Sequence, residues 1–225
     1  MNSARAMFHE PPSARMPGAT PVVFVVDDDI SVRESLELLI RFARWEPRTF
    51  SCAWDFLCHP RVEGPSCLVL DVELPDLNGL ELQKRLATER MAMPIIFITG
   101  HGDVPMTVRA MKAGAVEFLT KPYGDEALLS AIQDALDSSN AALHREAVMR
   151  RIRDAYASLT SREQQVMALV VRGLLNKQVG AVLGITDITV KAHRASVMRK
   201  MAARSLPDLV NIAASLRLSA ERPVT

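Results

Sequence analysis

The chain has 225 residues, 48% of them hydrophobic, which is enough for one or two domains with real cores. Residues 1–137 hold 13 Lys and Arg against 20 Asp and Glu, a net −7, whereas residues 138–225 hold 14 against 6, a net +8. An acidic domain is therefore predicted to precede a basic one suited to a polyanion, and the absence of any apolar run near roughly 18 residues argues against a membrane span.

The N-terminal stretch, residues 1–20, is rich in proline but lacks the apolar centre of a secretion signal, so we predict a disordered leader. The three cysteines are an odd number in apolar surroundings, and no Cys/His spacing indicates zinc. They are Cys52, Cys58 and Cys67. This pattern is typical of reduced core cysteines, and we expect a cytoplasmic protein.

In residues 21–137, five apolar segments alternate with five amphipathic ones. The predicted strands cover residues 22–26, 47–50, 67–71, 94–98 and 115–119. The first helix is predicted to begin with a capping box formed by Ser31 and Glu34, and the last helix starts at Asp125. A fivefold alternation of this kind predicts an α/β fold with a doubly wound parallel sheet.

Polar residues stand where four of these strands end. In chain order they are Asp27, Asp28, Asp71, Thr99 and Lys121. The carboxyl ends of parallel strands lie along one edge, where open α/β sheets bind ligands. Clustered carboxylates favour a hard divalent cation such as Mg²⁺, and a lysine with a threonine can hold phosphoryl oxygens. Taken alone, Asp71 is more readily explained as a helix cap or a solvated turn residue, but together with the other strand ends the cluster is suited to placing a phosphoryl group on it.

Residues 138–157 contain neither glycine nor proline and carry four arginines, so an exposed helical linker is predicted there. Further on, Thr160 and Glu163 form a second capping box that opens a helix. Asn176 is predicted to cap the next helix, and only a short glycine-containing turn separates that helix from a third, which begins near Asp187. Such a pair is typical of a helix-turn-helix. A fourth helix is predicted from Ser205.

The third of these helices can be placed on a wheel at roughly 100° per residue. Its inward face contains Val190, Val197 and Met201. Its opposite face contains Ile188, Lys191, Ala192, Ala195, Ser196 and Arg199. Small residues between two cations allow a DNA groove to approach closely, and a solvated basic helix is the alternative. Further cations nearby favour DNA: Lys177, Arg194, Lys200 and Arg204.

The spacing of Asp27-Asp28, Asp71, Thr99, Phe118 and Lys121-Pro122 resembles the receiver domain of two-component response regulators, over about residues 21–137. The FixJ and StyR subgroup of the NarL/FixJ family is particularly similar. The resemblance implies a flavodoxin-like fold with strand order 2-1-3-4-5 and a cis peptide before Pro122.

The same resemblance implies the roles of individual residues. Asp71 is the phosphoacceptor, and Thr99 and Phe118 form a switch pair with Lys121 at the phosphate. Mg²⁺ is held by the carboxylates of Asp28 and Asp71 and by the backbone carbonyl of Glu73, with Asp27 helping through water. The side chain of Glu73 could alter water access to the acyl phosphate or be merely solvated.

Residues 159–163, 173–177 and 189–194 resemble the LuxR-type four-helix output domain, over about residues 156–218. The resemblance implies a recognition helix in the major groove of DNA. The base-facing candidates are Lys191, Ala192 and Ala195. Further DNA-binding candidates, mainly at phosphates, are Lys177, Thr189, His193, Arg194 and Arg199. The fourth helix is the dimer surface, through Leu209, Val210 and Ala213.

Together these inferences divide the chain into a leader (1–20), a receiver domain (21–137), a helical linker (138–157) and a DNA-binding domain (158–225). The expected function is that of a transcriptional response regulator rather than an enzyme. Its expected partners are a sensor histidine kinase, an inverted repeat in promoter DNA and RNA polymerase, with homodimerisation on phosphorylation. A phosphatase that uses Asp71 as nucleophile and a DNA-binding protein with a degenerate receiver are the alternatives.

Overall fold

The computed structural model describes residues 20–60, 62–88 and 93–216, and the predicted leader lies almost entirely outside them. The chain divides into two compact units, the first ending at Leu143 and the second beginning at His144. Among the described residues, no helix combines the length and the apolar character needed to cross a membrane.

The first unit is built on a parallel sheet whose strand order is β2-β1-β3-β4-β5, as predicted. Its strands are β1 (Val22–Val26), β2 (Glu46–Phe50), β3 (Ser66–Asp71), β4 (Ile95–Thr99) and β5 (Glu117–Thr120). Every residue of β1, β3 and β4 is buried, because helices cover both faces of the sheet. The continuous apolar runs seen in the sequence are explained by this double covering.

Five helices complete the first unit: α1 (Ile30–Phe42), α2 (Ala53–Cys58), α3 (Gly79–Thr88), α4 (Val104–Lys112) and α5 (Asp125–Ala157). Alternate residues of each strand point into two separate cores. Phe24 and Leu70, for example, pack in the core that contains Leu82 of α3. Val25 and Val69 pack in the other core. The sheet therefore packs against a layer of helices on each face, and the edge at which the strands end in polar residues lies between the two layers.

The cap of α1 differs from the prediction. Asp29, in extended backbone geometry, is the N-cap residue, and its carboxylate accepts a hydrogen bond of 2.8 Å from the backbone N–H of Ser31. Ser31 lies inside the first turn, so it forms no capping box with Glu34. The prediction that all three cysteines are core residues is also wrong, because Cys58 is exposed, Cys52 is partly exposed and Cys67 alone is buried.

The start of α3 depends on close contact with β3. A Cβ placed on Gly79 would lie 2.5 Å from the carbonyl oxygen of Asp71, a distance that no real Cβ tolerates. The Gly79 N–H also donates to the carbonyl of Val72 over 3.0 Å. A glycine is therefore needed where the helix begins beside the end of β3, and it fixes the backbone that carries Asp71.

The predicted linker, residues 138–157, is part of α5, and not all of its residues are exposed. Ser139 is buried, and its hydroxyl accepts a hydrogen bond of 3.1 Å from the backbone N–H of Ser66, the first residue of β3. At the other end of α5, three residues pack against the core of the second unit: Ile152, Ala155 and Tyr156. The sequence pattern did not show this, because a single hydroxyl makes the first contact and only three side chains make the second.

The second unit contains α6 (Ser161–Val170), α7 (Asn176–Leu183), α8 (Asp187–Lys200) and α9 (Leu206–Ser215) around a common apolar core. The predicted helix-turn-helix is α7 and α8. Asn176 is the first residue of α7 and not its cap, because the backbone N–H of Leu175 donates to the side chain of Gln178 over 2.8 Å. A Cβ on Gly180 would lie 2.7 Å from the carbonyl oxygen of Ile185, so this glycine lets α7 and the turn pack closely.

Candidate acidic site and nucleic-acid interface

Three carboxylates meet at the carboxyl edge of the sheet. Asp27 and Asp28 follow β1 and Asp71 ends β3, and one oxygen of each lies within 4.8 Å of the others. Asp27 and Asp71 are buried, whereas Asp28 is exposed and opens the cluster to solvent. Parallel strand direction brings these residues together, since β1 and β3 are neighbours in the sheet.

Lys121, directly after β5, bridges the two buried carboxylates. Its ammonium group donates to Oδ2 of Asp27 over 2.8 Å and to Oδ2 of Asp71 over 2.7 Å. The second oxygen of each carboxylate is also occupied, because the Asp29 N–H donates to Asp27 and the Glu73 N–H donates to Asp71, both over 2.9 Å. The peptide between Lys121 and Pro122 is cis, as the resemblance implied.

Burial by itself acts on the pKa values of Asp27 and Lys121 in opposite directions, because it disfavours the charged form of each. Burial raises the pKa of the Asp27 carboxyl, although hydrogen bonds from Lys121 and the Asp29 N–H act against the rise. Burial alone would lower the pKa of Lys121, but its hydrogen bonds to Asp27 and Asp71 outweigh burial and raise that pKa to about 12. Lys121 therefore remains a cation at physiological pH, and it offsets the repulsion between the carboxylates.

The oxygen ligands of this cluster fit a magnesium ion. Carboxylate oxygens are ligands that Mg²⁺ prefers, and the ion usually keeps several waters, which the exposed side of Asp28 would accommodate. Glu73 follows Asp71 by two residues, its backbone is held by the hydrogen bond to Asp71, and its side chain is exposed. Glu73 Oε2 lies 3.7 Å from Nδ1 of the exposed His101, so the side chain stands at the mouth of the site.

The two residues implied as a switch lie on the neighbouring strands. Thr99, at the end of β4, is fully buried, and its hydroxyl accepts a hydrogen bond of 3.2 Å from the His101 N–H. Phe118 in β5 is partly buried, with its ring centroid 6.1 Å from that of Phe97. The ring therefore contributes to the core of the first unit.

Gly102 lies against both of these residues, and no role was predicted for it. A Cβ at Gly102 would lie 2.7 Å from Cγ2 of Thr120, 3.1 Å from Cε1 of Phe118 and 3.4 Å from Cγ2 of Thr99. The backbone of the loop after β4 thus lies directly on the switch pair. The only signal in the sequence was a second glycine two residues after Gly100, which is too common in loops to identify such a contact.

The candidate nucleic-acid interface is the exposed side of α8. As predicted, Val190 and Val197 are buried. The exposed residues of the opposite side are Ile188, Lys191, Ala192, Ala195 and Arg199. Ser196 was expected on that side but is half-buried, because its hydroxyl donates to Oε1 of Glu163 over 2.5 Å.

Two of the cations expected around this interface are bound within the unit. Lys200 donates to Oε2 of Glu163 over 2.7 Å and to the carbonyl of Ser158 over 3.1 Å. Arg194 donates to Oδ1 of Asn176 over 3.2 Å, which joins α8 to α7. These two side chains orient the helix, so the sequence pattern overestimated the cations presented to a ligand.

The remaining predicted DNA contacts are more accessible. Lys177, Arg199 and Arg204 are exposed. Lys191 forms an exposed ion pair of 2.9 Å with Asp187, one turn earlier in α8. Thr189 and His193 are half-buried, and the Thr189 hydroxyl shares a hydrogen bond of 2.8 Å with that of Thr186, the residue that caps α8.

Glu163 joins the first and third helices of the second unit. Beyond its bonds to Lys200 and Ser196, its carboxylate accepts a hydrogen bond of 2.8 Å from the Thr160 N–H, which confirms the predicted capping box. The hydrogen bonds from Lys200, Ser196 and Thr160 lower the pKa of Glu163 to about 2. The sequence identified the cap but not the contacts with α8, which link residues 33 and 37 positions apart.

The predicted dimer surface needs correction. Leu209 and Ala213 are fully buried in the core of their own unit, so they are not available to a second copy. Val210 is 36% exposed and lies on the solvent side of α9. The apolar spacing of this helix was read correctly, but the stripe that it predicts faces α6 to α8 and not a partner.

Both halves of the chain match known protein families. Residues 23–133 match the response regulator receiver domain, and residues 157–219 match the bacterial regulatory proteins of the luxR family. Nodulation protein W of Bradyrhizobium diazoefficiens is 49% identical over 199 residues, which are 88% of each chain. The response regulator protein TodT of Pseudomonas putida is 43% identical over 200 residues, which are 89% of this chain and 88% of the other.

Two solved structures extend these similarities to the fold. The structure of the response regulator StyR has a TM-score of 0.79 and 50% identity, and the match covers 87% of this chain and 99% of StyR. Full-length FixJ from B. japonicum has a TM-score of 0.53 and 40% identity, with 88% and 97% of the two chains covered. Both similarities extend over the two units described above.

The lowered pKa of Glu163 leads to a prediction about stability. Glu163→Gln keeps the shape but loses the charge. Because the folded pKa of about 2 lies below the ordinary 4.5, the charged form stabilises the fold above pH 4.5, and this contribution disappears as the pH falls toward 2. In calorimetry of the full chain, the variant's second unit should therefore unfold at a lower temperature at pH 7, and the difference should narrow below pH 4.5.

The matched control is Glu146→Gln, which removes an exposed carboxylate of the same unit, paired only with Arg150 at 3.4 Å. It should unfold as the wild type does at both pH values, since exposed ion pairs add little. A deficit in Glu163→Gln that stays constant from pH 7 to pH 3 would contradict the assignment of a charged Glu163.

Proposed function

The chain belongs to the FixJ type of two-component response regulators, in which a receiver domain is followed by a LuxR-type DNA-binding domain, and we propose that phosphorylation of Asp71 controls its binding to promoter DNA. The single observation that carries the proposal is the bridge from Lys121 to Asp27 and Asp71 at the edge of the sheet. We also propose a division into a receiver (21–137), a linker (138–157) and a DNA-binding domain (158–225), and the family matches over residues 23–133 and 157–219 support it.

The phosphoryl transfer is a displacement at phosphorus. An oxygen of Asp71 attacks the phosphorus of a phosphohistidine on the partner kinase, a P–O bond forms, the P–N bond breaks, and the imidazole nitrogen keeps the electron pair. The Lys121 ammonium can exchange its bond to Asp71 for a transferred phosphoryl oxygen without losing its bond to Asp27. Position and charge are most of what such a transfer needs from the protein.

Magnesium would be held by the carboxylates of Asp28 and Asp71 and the backbone carbonyl of Glu73, with Asp27 acting through water. When bound, the ion neutralises charge on the transferred oxygens. Asp27 is suited to an indirect role because its two oxygens are already bonded to Lys121 and to the Asp29 N–H.

The output is a shift between two receiver conformations. In the phosphorylated form the Thr99 hydroxyl exchanges its bond to the His101 N–H for one to the phosphoryl group, and the Phe118 ring turns inward. The half-buried state of Phe118 in the present structure supports this role, since a ring fully fixed in the core could not move. Phosphate shifts the equilibrium only through its different affinity for the two conformations.

We expect the phosphorylated receiver to form a homodimer through α4. Three apolar side chains of that helix, spaced to share one face, are exposed: Val104, Val108 and Met111. The exposed cations Arg109 and Lys112 and the exposed Glu117 of β5 supply both signs of charge. A symmetric interface must be self-complementary, and a second copy of the chain would match both the apolar stripe and the charges.

In the DNA complex, α8 lies in the major groove of an inverted repeat. Lys191, Ala192 and Ala195 face base edges, and Lys191 leaves its pair with Asp187 to do so. The phosphate contacts are Lys177, Thr189, His193 and Arg199, whereas Arg194 stays bonded to Asn176 and orients α8. The regulator acts in the cytoplasm, receives phosphate from a sensor histidine kinase, contacts RNA polymerase at the promoter and has no enzymatic turnover of its own.

Asp71→Asn tests the phosphoacceptor. The amide keeps the shape of the side chain but is not a nucleophile, so the variant should take up no base-labile label from acetyl phosphate with Mg²⁺. The matched control is Asp55→Asn, which replaces an exposed carboxylate of α2 and should label like the wild type. Labelling of Asp71→Asn at the wild-type level would show that another residue accepts the phosphoryl group.

Asp28→Ala tests the metal site. Removal of a direct ligand should weaken Mg²⁺ binding at least about tenfold, the lower range for even indirect partners of a metal. Titration is followed by the fluorescence of Trp45 and Trp54. The control is Asp29→Asn, which removes the same charge from the same loop but keeps the oxygen that caps α1. Equal weakening in both variants would indicate bulk charge and not ligation.

The DNA contacts are tested by a salt series on two duplexes, one selected by the phosphorylated full chain from a random library and one of unrelated sequence. Arg199→Ala should weaken binding to both and reduce the salt slope by about one, because one phosphate contact is lost. Lys191→Ala should cost about 1–3 kcal/mol on the selected duplex and relax its sequence preference. Lys84→Ala, which removes an exposed cation of α3, is the control and should leave the slope unchanged. An unchanged slope in Arg199→Ala would remove that residue from the interface.

A further inference from the structure

Ile188 is an apolar residue at a polar surface. It lies in the first turn of α8 and is 78% exposed, the highest value for a large hydrophobic side chain among the described residues of the second unit. The other branched apolar residues of the same helix, Val190 and Val197, are buried. Single exposed apolar residues are common, so exposure alone indicates no function. The position of Ile188 on the helix gives the second observation.

Ile188 stands in the middle of the exposed side of α8. At roughly 100° per residue, Ile188, Ala195 and Arg199 fall within about 20° of a common line. Lys191 and Ala192 flank this line on either side. Toward the C-terminus, this line passes from Ile188 to the small side chain of Ala195 and then to the cation Arg199. DNA that docks along this whole side of α8, from its first turn to Arg199, also covers Ile188.

The end of the helix at which Ile188 lies is fixed and suited to base contacts. The Thr186 hydroxyl accepts a hydrogen bond of 3.2 Å from the Thr189 N–H, so α8 starts at a defined residue. In helix-turn-helix proteins, the N-terminal residues of the recognition helix contact base edges, while later turns approach the backbone. Ile188 is therefore placed toward bases and Arg199 toward phosphate.

The chemistry of the side chain leaves one partner in the major groove. Isoleucine has no polar atom, so it can neither bond to phosphate nor read the donors and acceptors of a base. The apolar group that the groove offers is the 5-methyl group of thymine. A β-branched residue in a helix holds nearly one rotamer, so little side-chain entropy is lost when the contact forms.

From these observations we propose that Ile188 is a specificity-determining residue, which contacts a thymine methyl group in each half-site and selects thymine there. The proposal rests on the proposed docking of α8 in the major groove. It adds an apolar contact to an interface otherwise described by cations and alanines, and it explains why a fully solvated position carries a branched hydrocarbon.

The experiment replaces thymine by uracil, which deletes only the 5-methyl group. The phosphorylated full chain first selects a duplex from a random library, and each thymine is then changed to uracil in turn. At one position in each half-site, a single replacement should weaken wild-type binding about fourfold, the effect expected for one buried methyl-sized group. Ile188→Ser should bind the thymine and uracil forms of that position equally, and Ile188→Val should retain most of the discrimination.

Three results would overturn the proposal. Insensitivity of wild-type binding to uracil at every position would show that no methyl group is read. Undiminished discrimination in Ile188→Ser would assign the methyl contact to Ala192 or Ala195. In a transcription assay with RNA polymerase, loss of activation in Ile188→Ser with unchanged uracil sensitivity would assign the residue to a protein partner.

Failure of the underlying docking is detected separately. Lys191→Ala is measured on the same duplex, and sequence-specific binding that does not change in this variant would contradict the placement of α8 in the groove. If Lys191→Ala relaxes the sequence preference while Ile188→Ser does not alter the uracil effect, the docking stands and the role of Ile188 alone is wrong.

Discussion

The ammonium group of Lys121 is the contact on which the acidic site depends. Asp27 follows β1 and Asp71 ends the neighbouring β3, and two buried carboxylates so close together would repel each other and leave charge uncompensated. The bridge from Lys121 satisfies one oxygen of each, and backbone N–H groups satisfy the others. Three strand ends are thereby held by charge, with the switch residue Thr99 on the strand between β3 and β5. A phosphoryl group placed on Asp71 enters a site whose countercharge is already in position.

The second unit also contains a buried carboxylate whose charge is compensated by a lysine. Glu163 is buried where α6 meets α8, and it is stabilised by Lys200, by Ser196 and by its own cap. The two sites differ in what their partners leave open. In the acidic site the exposed Asp28 and the exchangeable bonds of Lys121 allow a ligand to enter. Around Glu163 both oxygens already accept hydrogen bonds, so the ion pair fixes the contact between α6 and α8.

Patterns local in sequence predicted most of the architecture. The alternation of strands and helices, the polar strand ends, the capping box at Thr160 and the inward face of α8 were all accessible, because they depend on residue type and on short spacing. The strand order, by contrast, came from the family resemblance. The acidic site followed from the same information, since parallel strands must end on one side. The predicted site residues Asp27, Asp71 and Lys121 do meet, and Thr99 ends the strand between them.

The errors have a common physical cause, which is that periodicity gives a face but not its partner. Leu209 and Ala213 were assigned to a dimer surface, whereas the stripe packs on its own unit. Ser196 was predicted on the exposed side of α8 and Lys200 among the cations that favour DNA, whereas Glu163, more than 30 residues earlier, binds both. The cap of α1 depended on which of two adjacent candidates reaches extended geometry, and Ser139 makes a hydrogen bond across 73 residues. Contacts of this kind leave no local pattern.

Gly102 shows how little room the switch leaves to mutation. Its missing side chain is the space occupied by Thr120 and Phe118, with Thr99 directly behind them. Every base change in a glycine codon that alters the amino acid either adds a Cβ or ends translation. Any substitution at this position therefore requires the side chain of Thr120, the group nearest to the glycine, to move away from the loop.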